Sequence, residues 1–361
     1  MKVQSAAQSD VWPGGKSIAV LVSILFETWS DGKGPSYFPR TTPLKPGTID
    51  HGAIQWAQYG GNEGLWRILR TLDRHSVPAT IFCSGRCGEV YPEVIAAAAK
   101  AGHDIAGHGY TQDGLFCYMT PDEERSAIRK TLDALEQASG IRAKGWATPA
   151  YSWTTHTFDL LCQEGVRWYG DALDISLPRK QATASGDIVA FPWSDFVDNR
   201  VLRGQPRSYY DVYADTFEYL REHEPMGLLH VAFHSHFGGR PLMTAMFDKL
   251  LKFLRAQPEV HFPGPQRDRA VGAGARRRRV ALRQPVLRLR EDRCVDQCRC
   301  RDRGASPPPQ AGAGTQEPID RSEVTATRIT ARSGCSCPSR AGPISRCRRR
   351  GRRASPRSPR S

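Results

Sequence analysis

The 361-residue chain carries a formal charge of +14, with 39% hydrophobic and 24% charged residues, which allows one large globular domain or two ordinary ones. That charge is not evenly spread: residues 263–361 hold 25 arginines and no lysine against eight acids, whereas residues 1–262 hold 26 basic and 29 acidic groups. The globular part is therefore slightly acidic, which argues against nucleic acid as its partner, and its apolar run Ile18–Phe26 is too short to span a membrane.

In chain order, the start M-K-V-Q-S is polar and no small-residue cleavage pattern follows the first apolar run, so the expected location is the cytoplasm. Ser17–Phe26 is apolar and β-branched throughout, the pattern of a strand buried on both faces in a parallel sheet. Asn62–His75 places Leu65, Trp66, Leu69 and Leu72 at helical spacing, and Pro78–Cys83 reads as the next strand. An Ala-rich helix over Pro92–Ala101 stops at Gly102, and the short strand Asp104–Ala106 leads to His108. Thr120 and Pro121 open a helix that runs to about Ala138. Strands at Lys144–Trp146, Arg167–Tyr169, Asp187–Phe191 and Gly227–Phe233 are interleaved with helices at Thr155–Gln163, Ser208–His223 and Pro241–Ala256. This alternation predicts an α/β fold, a distorted (β/α)7-type barrel, with no Gly-rich nucleotide fingerprint at any strand-to-helix turn.

All eight tryptophans precede residue 200 and the last aromatic residue is Phe262. Residues 1–262 are thus read as the globular domain and 263–361 as a disordered Arg-rich tail, because a hundred residues without aromatics cannot bury an ordinary core. Arginine without lysine has the look of GC-rich coding sequence read out of frame; a nucleic-acid-binding arm and a solvated linker are the alternatives. Six of the ten cysteines lie in this tail, without C-x-x-C spacing and without a histidine to complete a zinc site. Cys83, Cys87, Cys117 and Cys162 are scattered and are expected as free thiols of a reducing compartment.

In a βα barrel, chemistry collects at the carboxyl ends of the strands. There the chain places Glu27, His108 between two glycines, Ala147-Thr148-Pro149, Asp171 and Asp174, and His234-Ser235-His236. A carboxylate and three histidines on one rim supply a base, an acid and an oxyanion partner for cleaving an amide-like bond. Alternation along a strand points His234 and His236 the same way. The candidate catalytic residues are Glu27, His108, His234 and His236. Trp29, Gln112, Pro149, Tyr151, Asp174 and Arg240 are the candidate substrate-binding residues, with Tyr110, Trp146 and Trp153 as further aromatic walls. His103, at the start of a strand, is expected to be structural.

Five segments in this order, I-L-F-E-T-W at 24–29, V-P-A-T-I-F at 77–82, G-H-D-I-A-G-H-G-Y at 102–110, G-W-A-T-P at 145–149 and H-S-H-F-G-G-R-P at 234–241, resemble the polysaccharide deacetylase superfamily, the NodB-homology domain. The resemblance covers about residues 11–262. It implies a distorted βα barrel with two acids after the first strand and a His-x-x-x-His after the third. One acid is the base; the other, with the two histidines, holds zinc or a similar metal, and a late histidine protonates the leaving amine. Here Glu27 fits the base, but Trp29 stands at the metal-binding acid position and Gln112 at the second histidine. Ala147 and Thr148 stand where an arginine is usual.

Indole cannot ligate zinc and a neutral amide is a poor ligand. The losses, together with W-P-G-G-K-S-I-A-V and H-S-H-F-G-G-R-P, resemble the branch that contains metal-independent allantoinases. The expected activity is hydrolysis of a non-peptide C–N bond without a cofactor. A divalent metal such as zinc remains an alternative, held by Glu27, His108 and His236 with Asp31 and Asp113 in reach, and would imply a chitooligosaccharide deacetylase. A non-catalytic ligand-binding relative is the other alternative. Expected partners are a small molecule or an oligosaccharide, with no nucleic acid or membrane and an oligomer allowed.

Overall fold

The computed structural model describes residues 11–263, which lie within one compact unit. The Arg-rich tail with its six cysteines lies outside the described residues. The first strand, β1 (Ile18–Phe26), is buried at every position. Its even-numbered residues, Ile18 to Phe26, pack outward against helices. Leu21 and Leu25 pack inward with Phe82, Ala106, Trp168 and Phe191. A strand with both faces covered has no need of polar alternation, which is why it reads as one apolar run.

The chain continues through α1 (His51–Tyr59), a π-helical turn at 60–64, α2 (Leu65–His75), β2 (Thr80–Cys83), α3 (Gly85–Val90), α4 (Pro92–Lys100) and β3 (Asp104–Gly107). Then come α5 (Pro121–Ser139), β4 (Gly145–Trp146), α6 (Thr157–Gln163), β5 (Trp168–Ala172), β6 (Arg179–Thr183) and β7 (Gly186–Pro192). The last elements are α7 (Arg207–His223), β8 (Gly227–His234), α8 (Ser235–Gly238), α9 (Pro241–Arg255) and β9 (Val260–His261). The sheet order is β6-β7-β5-β4-β3-β2-β1-β8, with β9 parallel to the start of β1. The seven strands expected from sequence form its parallel part.

The curled sheet is not closed by strand pairing. A single bridge, Val197 to Ala232, links the segment after β7 to β8. The buried imidazole of His230 spans the same gap, 2.9 Å from the Pro192 carbonyl and 2.7 Å from the Ser23 hydroxyl.

Strand β6 and helices α1 and α3 are among the elements that were not legible in the sequence. Strand β6 is an antiparallel edge strand, polar and alternately exposed, so no apolar period marks it. Helix α3 is hidden by two glycines, and both are used for packing: a β-carbon at Gly85 would come within 2.7 Å of the Thr131 backbone, and one at Gly88 within 2.6 Å of the Ala134 carbonyl. Helix α1 leads into Gly60, Gly61 and Gly64, which press against α8 and Tyr91. Low helix propensity here reflects close backbone approach rather than a loop. Beyond α9 the chain re-enters the sheet as β9.

Candidate active site

Strand register brings the rim together. Phe26, Cys83, Gly107 and Trp146 are paired in one row across β1, β2, β3 and β4. The next residues, Glu27, Ser84, His108 and Ala147, therefore leave the strands at one level. Glu27 also continues the inward row Leu21, Ser23, Leu25, so its carboxylate caps the barrel interior. Gly107 and Gly109 make His108 possible: a β-carbon at either would collide with Trp146 or Pro149, and Gly109 has a φ of +65°.

His108 is fixed by two bonds. Its Nδ1 lies 2.8 Å from the Ala147 carbonyl, which can only accept, so Nδ1 carries a proton. Its Nε2 lies 3.3 Å from Glu27 Oε1. On the other side His234 Nε2 is 3.9 Å from the same oxygen. Asp198, fully buried, holds His234 Nδ1 at 2.5 Å and accepts the His234 backbone N–H at 2.9 Å. Gly238 leaves room for this carboxylate, because a β-carbon there would sit 2.6 Å from Asp198 Oδ2.

Burial opposes charge on both Glu27 and His234, and their neighbours outweigh it. The His234 charge and the bond to His108 bring the Glu27 carboxyl down to about 2. The Asp198 and Glu27 carboxylates lift the His234 imidazole to about 9. Asp198 itself is raised by burial against the pull of His234.

His236 is not on β8, which ends at His234; it sits in α8, so strand alternation does not explain its place. It still faces the site, with Nδ1 3.9 Å from Glu27 Oε2 and without a hydrogen-bond partner. Burial holds it down at about 3 despite Glu27, so it is neutral. Its Nε2 is 2.9 Å from the Tyr37 hydroxyl, which also lies 3.4 Å from Glu27 Oε2. Tyr37 belongs to the long connection between β1 and α1, and burial and the Glu27 charge raise its hydroxyl well above the ordinary range.

Trp29 meets the His236 ring edge-on at 5.6 Å and Trp56, on α1, does so at 4.8 Å. Tyr151 and Trp193 form another wall, 6.5 Å apart, with Trp193 against His230. Tyr37, Trp56, Trp193 and Asp198 were missed in the sequence, which offers no local signal for them beyond aromaticity and an acid in W-S-D-F-V-D.

Several candidates sit differently from expectation. Gln112 donates its amide to Ser84 Oγ and to the His108 carbonyl, both at 3.1 Å, so only its oxygen is left for a ligand. Asp174 is exposed and paired with Arg179 at 2.7 Å, away from the Glu27 network. The buried acid at this strand end is Asp171, which accepts the Thr148 N–H at 2.7 Å and is pushed by burial up to about 6. Arg240 braces the site from behind, bonded to the His236 and Trp56 carbonyls at 3.1 and 3.3 Å with its guanidinium over Tyr59. Pro149 and Tyr151 flank a strained turn in which Ala150 and Tyr151 have φ of 49° and 54°. Tyr110 turns to Glu89 and Trp146 is wholly buried, whereas Trp153 stands edge-on to Tyr151. His103 accepts the Ala79 N–H, as a structural residue does.

The donor set does not suit a metal. Among the described residues no group of three His, Cys, Asp or Glu side chains could hold a metal ion. Glu27 divides its oxygens between His108 and Tyr37, and the protonated His234 faces the same carboxylate. Asp31 and Asp113 are tied to Arg86 at 2.6 Å and Lys33 at 2.9 Å.

Residues 48–169, about a third of the chain, match the family model described as Polysaccharide deacetylase. Members of that family are hydrolases acting on amide C–N bonds. The peptidoglycan deacetylase of Helicobacter pylori is 20% identical over 56% of this chain and 82% of its own length. The peptidoglycan-N-acetylglucosamine deacetylase of Bacillus cereus is 30% identical over 30% of this chain and 42% of its own. In fold, the chain is similar to PuuE allantoinase, with a TM-score of 0.65, 24% identity, and 74% of this chain and 95% of that one covered. No helix among the described residues is long and apolar enough to cross a membrane.

Proposed function

We propose that the chain hydrolyses a small non-peptide amide of the ureide type by acid–base chemistry of its own side chains, without a metal. The observation that carries this reading is the placement of Glu27 Oε1 against His234 Nε2, with Asp198 2.5 Å behind the imidazole; these neighbours lower Glu27 to about 2 and raise His234 to about 9. Across neutral pH one is an ionised base and the other a charged acid, although their atoms are 3.9 Å apart.

In this reading a water lies against Glu27 and adds to the substrate carbonyl. The water proton passes to Glu27 as the new C–O bond forms. His234 gives its Nε2 proton to the departing nitrogen as the C–N bond breaks, while Asp198 keeps the imidazole in line. His108, with its Nδ1–H on the Ala147 carbonyl, turns the Nε2 lone pair toward the attacking water and orients it. Tyr37, Trp29 and Trp56 set aromatic faces around His236, which suits a flat substrate.

The test is turnover of a cyclic ureide such as allantoin beside N-acetylglucosamine oligomers, for the parent chain and Glu27→Gln. Ureide turnover that falls by about 10²–10⁴-fold in Glu27→Gln supports the reading. Undiminished turnover in that variant, or sugar deacetylation that needs added metal, overturns it.

A further inference from the structure

We propose that Asp171 is a positioning residue that acts on His108 through the peptide group joining Ala147 to Thr148. The two ends of this one planar unit are both engaged. Its carbonyl oxygen lies 2.8 Å from His108 Nδ1, and its N–H donates to Asp171 Oδ2 at 2.7 Å. His108, the peptide and the carboxylate therefore form a continuous line of hydrogen bonds with the negative charge at the far end.

A peptide whose N–H is drawn toward a carboxylate carries more negative charge on its oxygen, because amide resonance couples the two ends. That oxygen is a stronger acceptor for the His108 Nδ1 proton and holds the ring more firmly in its orientation. The imidazole then keeps its Nδ1–H, and the ring is held in one tautomer and one orientation with Nε2 turned toward Glu27. A side-chain carboxylate does the same directly for His234, where Asp198 touches Nδ1. At His108 the strand end places a peptide in that position.

The surroundings make the charge on Asp171 effective. Its side chain is 1% exposed, and its second oxygen, Oδ1, has no hydrogen-bond partner. Among the described residues no lysine or arginine is bonded to it, and Tyr151 and Tyr169 feel its charge besides His108. The backbone at Thr148, φ −85° and ψ 134°, is relaxed and extended, so the N–H direction follows from the strand end and not from strain.

This assignment rests on the reading of His108 as part of the catalytic site, and its test has a readout that does not. Asp171→Asn keeps an oxygen for the Thr148 N–H and removes the charge. Expected are a kcat lowered by about 10- to 100-fold, the range for removing the group that orients an active-site histidine, and a KM changed far less. In nuclear magnetic resonance the Thr148 amide proton and the His108 Nδ1 proton should both move upfield in the variant. An unchanged kcat with unmoved His108 resonances overturns the proposal. If Asp171→Asn does not fold, the unmutated chain decides. A Thr148 amide proton shifted downfield as in a charge-assisted bond supports the relay, and one at the ordinary position overturns it. Moved resonances in a chain whose Glu27→Gln variant keeps full turnover would leave the relay standing and defeat the catalytic reading instead.

Discussion

Replacing Asp198 with Asn tests the acid at its source. The carboxylate meets His234 twice, through Nδ1 at 2.5 Å and through the backbone N–H at 2.9 Å. Asparagine can accept only one of these and turns its NH2 toward the other donor. It also removes the larger of the two charges that lift His234 from its ordinary 6.5 to about 9 against the opposing effect of burial. That lift corresponds to roughly 3 kcal/mol of preference for the protonated ring. With burial left and only Glu27 at 3.9 Å opposing it, His234 should return to 6.5 or below. At pH 8 the protonated fraction then falls from about nine in ten to a few in a hundred, and kcat/KM should drop about 30-fold. The alkaline limb of the pH–rate profile should move from near 9 to below 7. Stability has the same sign: a raised histidine stabilises the fold below 6.5 and loses that contribution as pH rises through about 9. The parent should therefore lose roughly 3 kcal/mol in denaturant unfolding between those values, and the variant should not. An alkaline limb left in place, with an unchanged pH slope of stability, would refute the electrostatic reasoning.

Tyr37→Phe removes the hydroxyl shared by His236 and Glu27, and should lower unfolding stability by about 1 kcal/mol while raising KM more than it lowers kcat. Gly64→Ala drives a methyl into the Ser235 carbonyl oxygen, so α8 must move; thermal unfolding should show a loss of about 1–3 kcal/mol, with turnover reduced through His236. Exhaustive dialysis against chelator should leave ureide turnover unchanged, checked beside elemental mass spectrometry of the protein before and after. Turnover restored only by added zinc would contradict the donor set described above.

Much of the site was legible because its signals are local. A strand that is apolar on both faces ends in Glu27; two glycines bracket His108; His234 closes the last long strand. Each follows from side-chain alternation and chain stiffness over a few residues. The glycines were informative at His108 and misleading at α1 and α3, since the same absence of a β-carbon lowers helix propensity and permits close packing. Asp174 was preferred over Asp171 for a related reason: period-two reasoning does not say which acid stays under the barrel rim and which runs into a surface loop with Arg179.

The sequence by itself determined the order of strands and helices, the apolar layers and the three residues that end inward rows, because these depend on periodicity along the chain. Only the tertiary structure decided that Asp198 stands behind His234, that Tyr37 reaches over to His236, 199 residues away, and that Glu27 is gripped from both sides. It also decided which groups are charged. A carboxyl or an imidazole titrates according to the burial and the charges around it, and those neighbours arrive from distant parts of the chain only when the sheet curls.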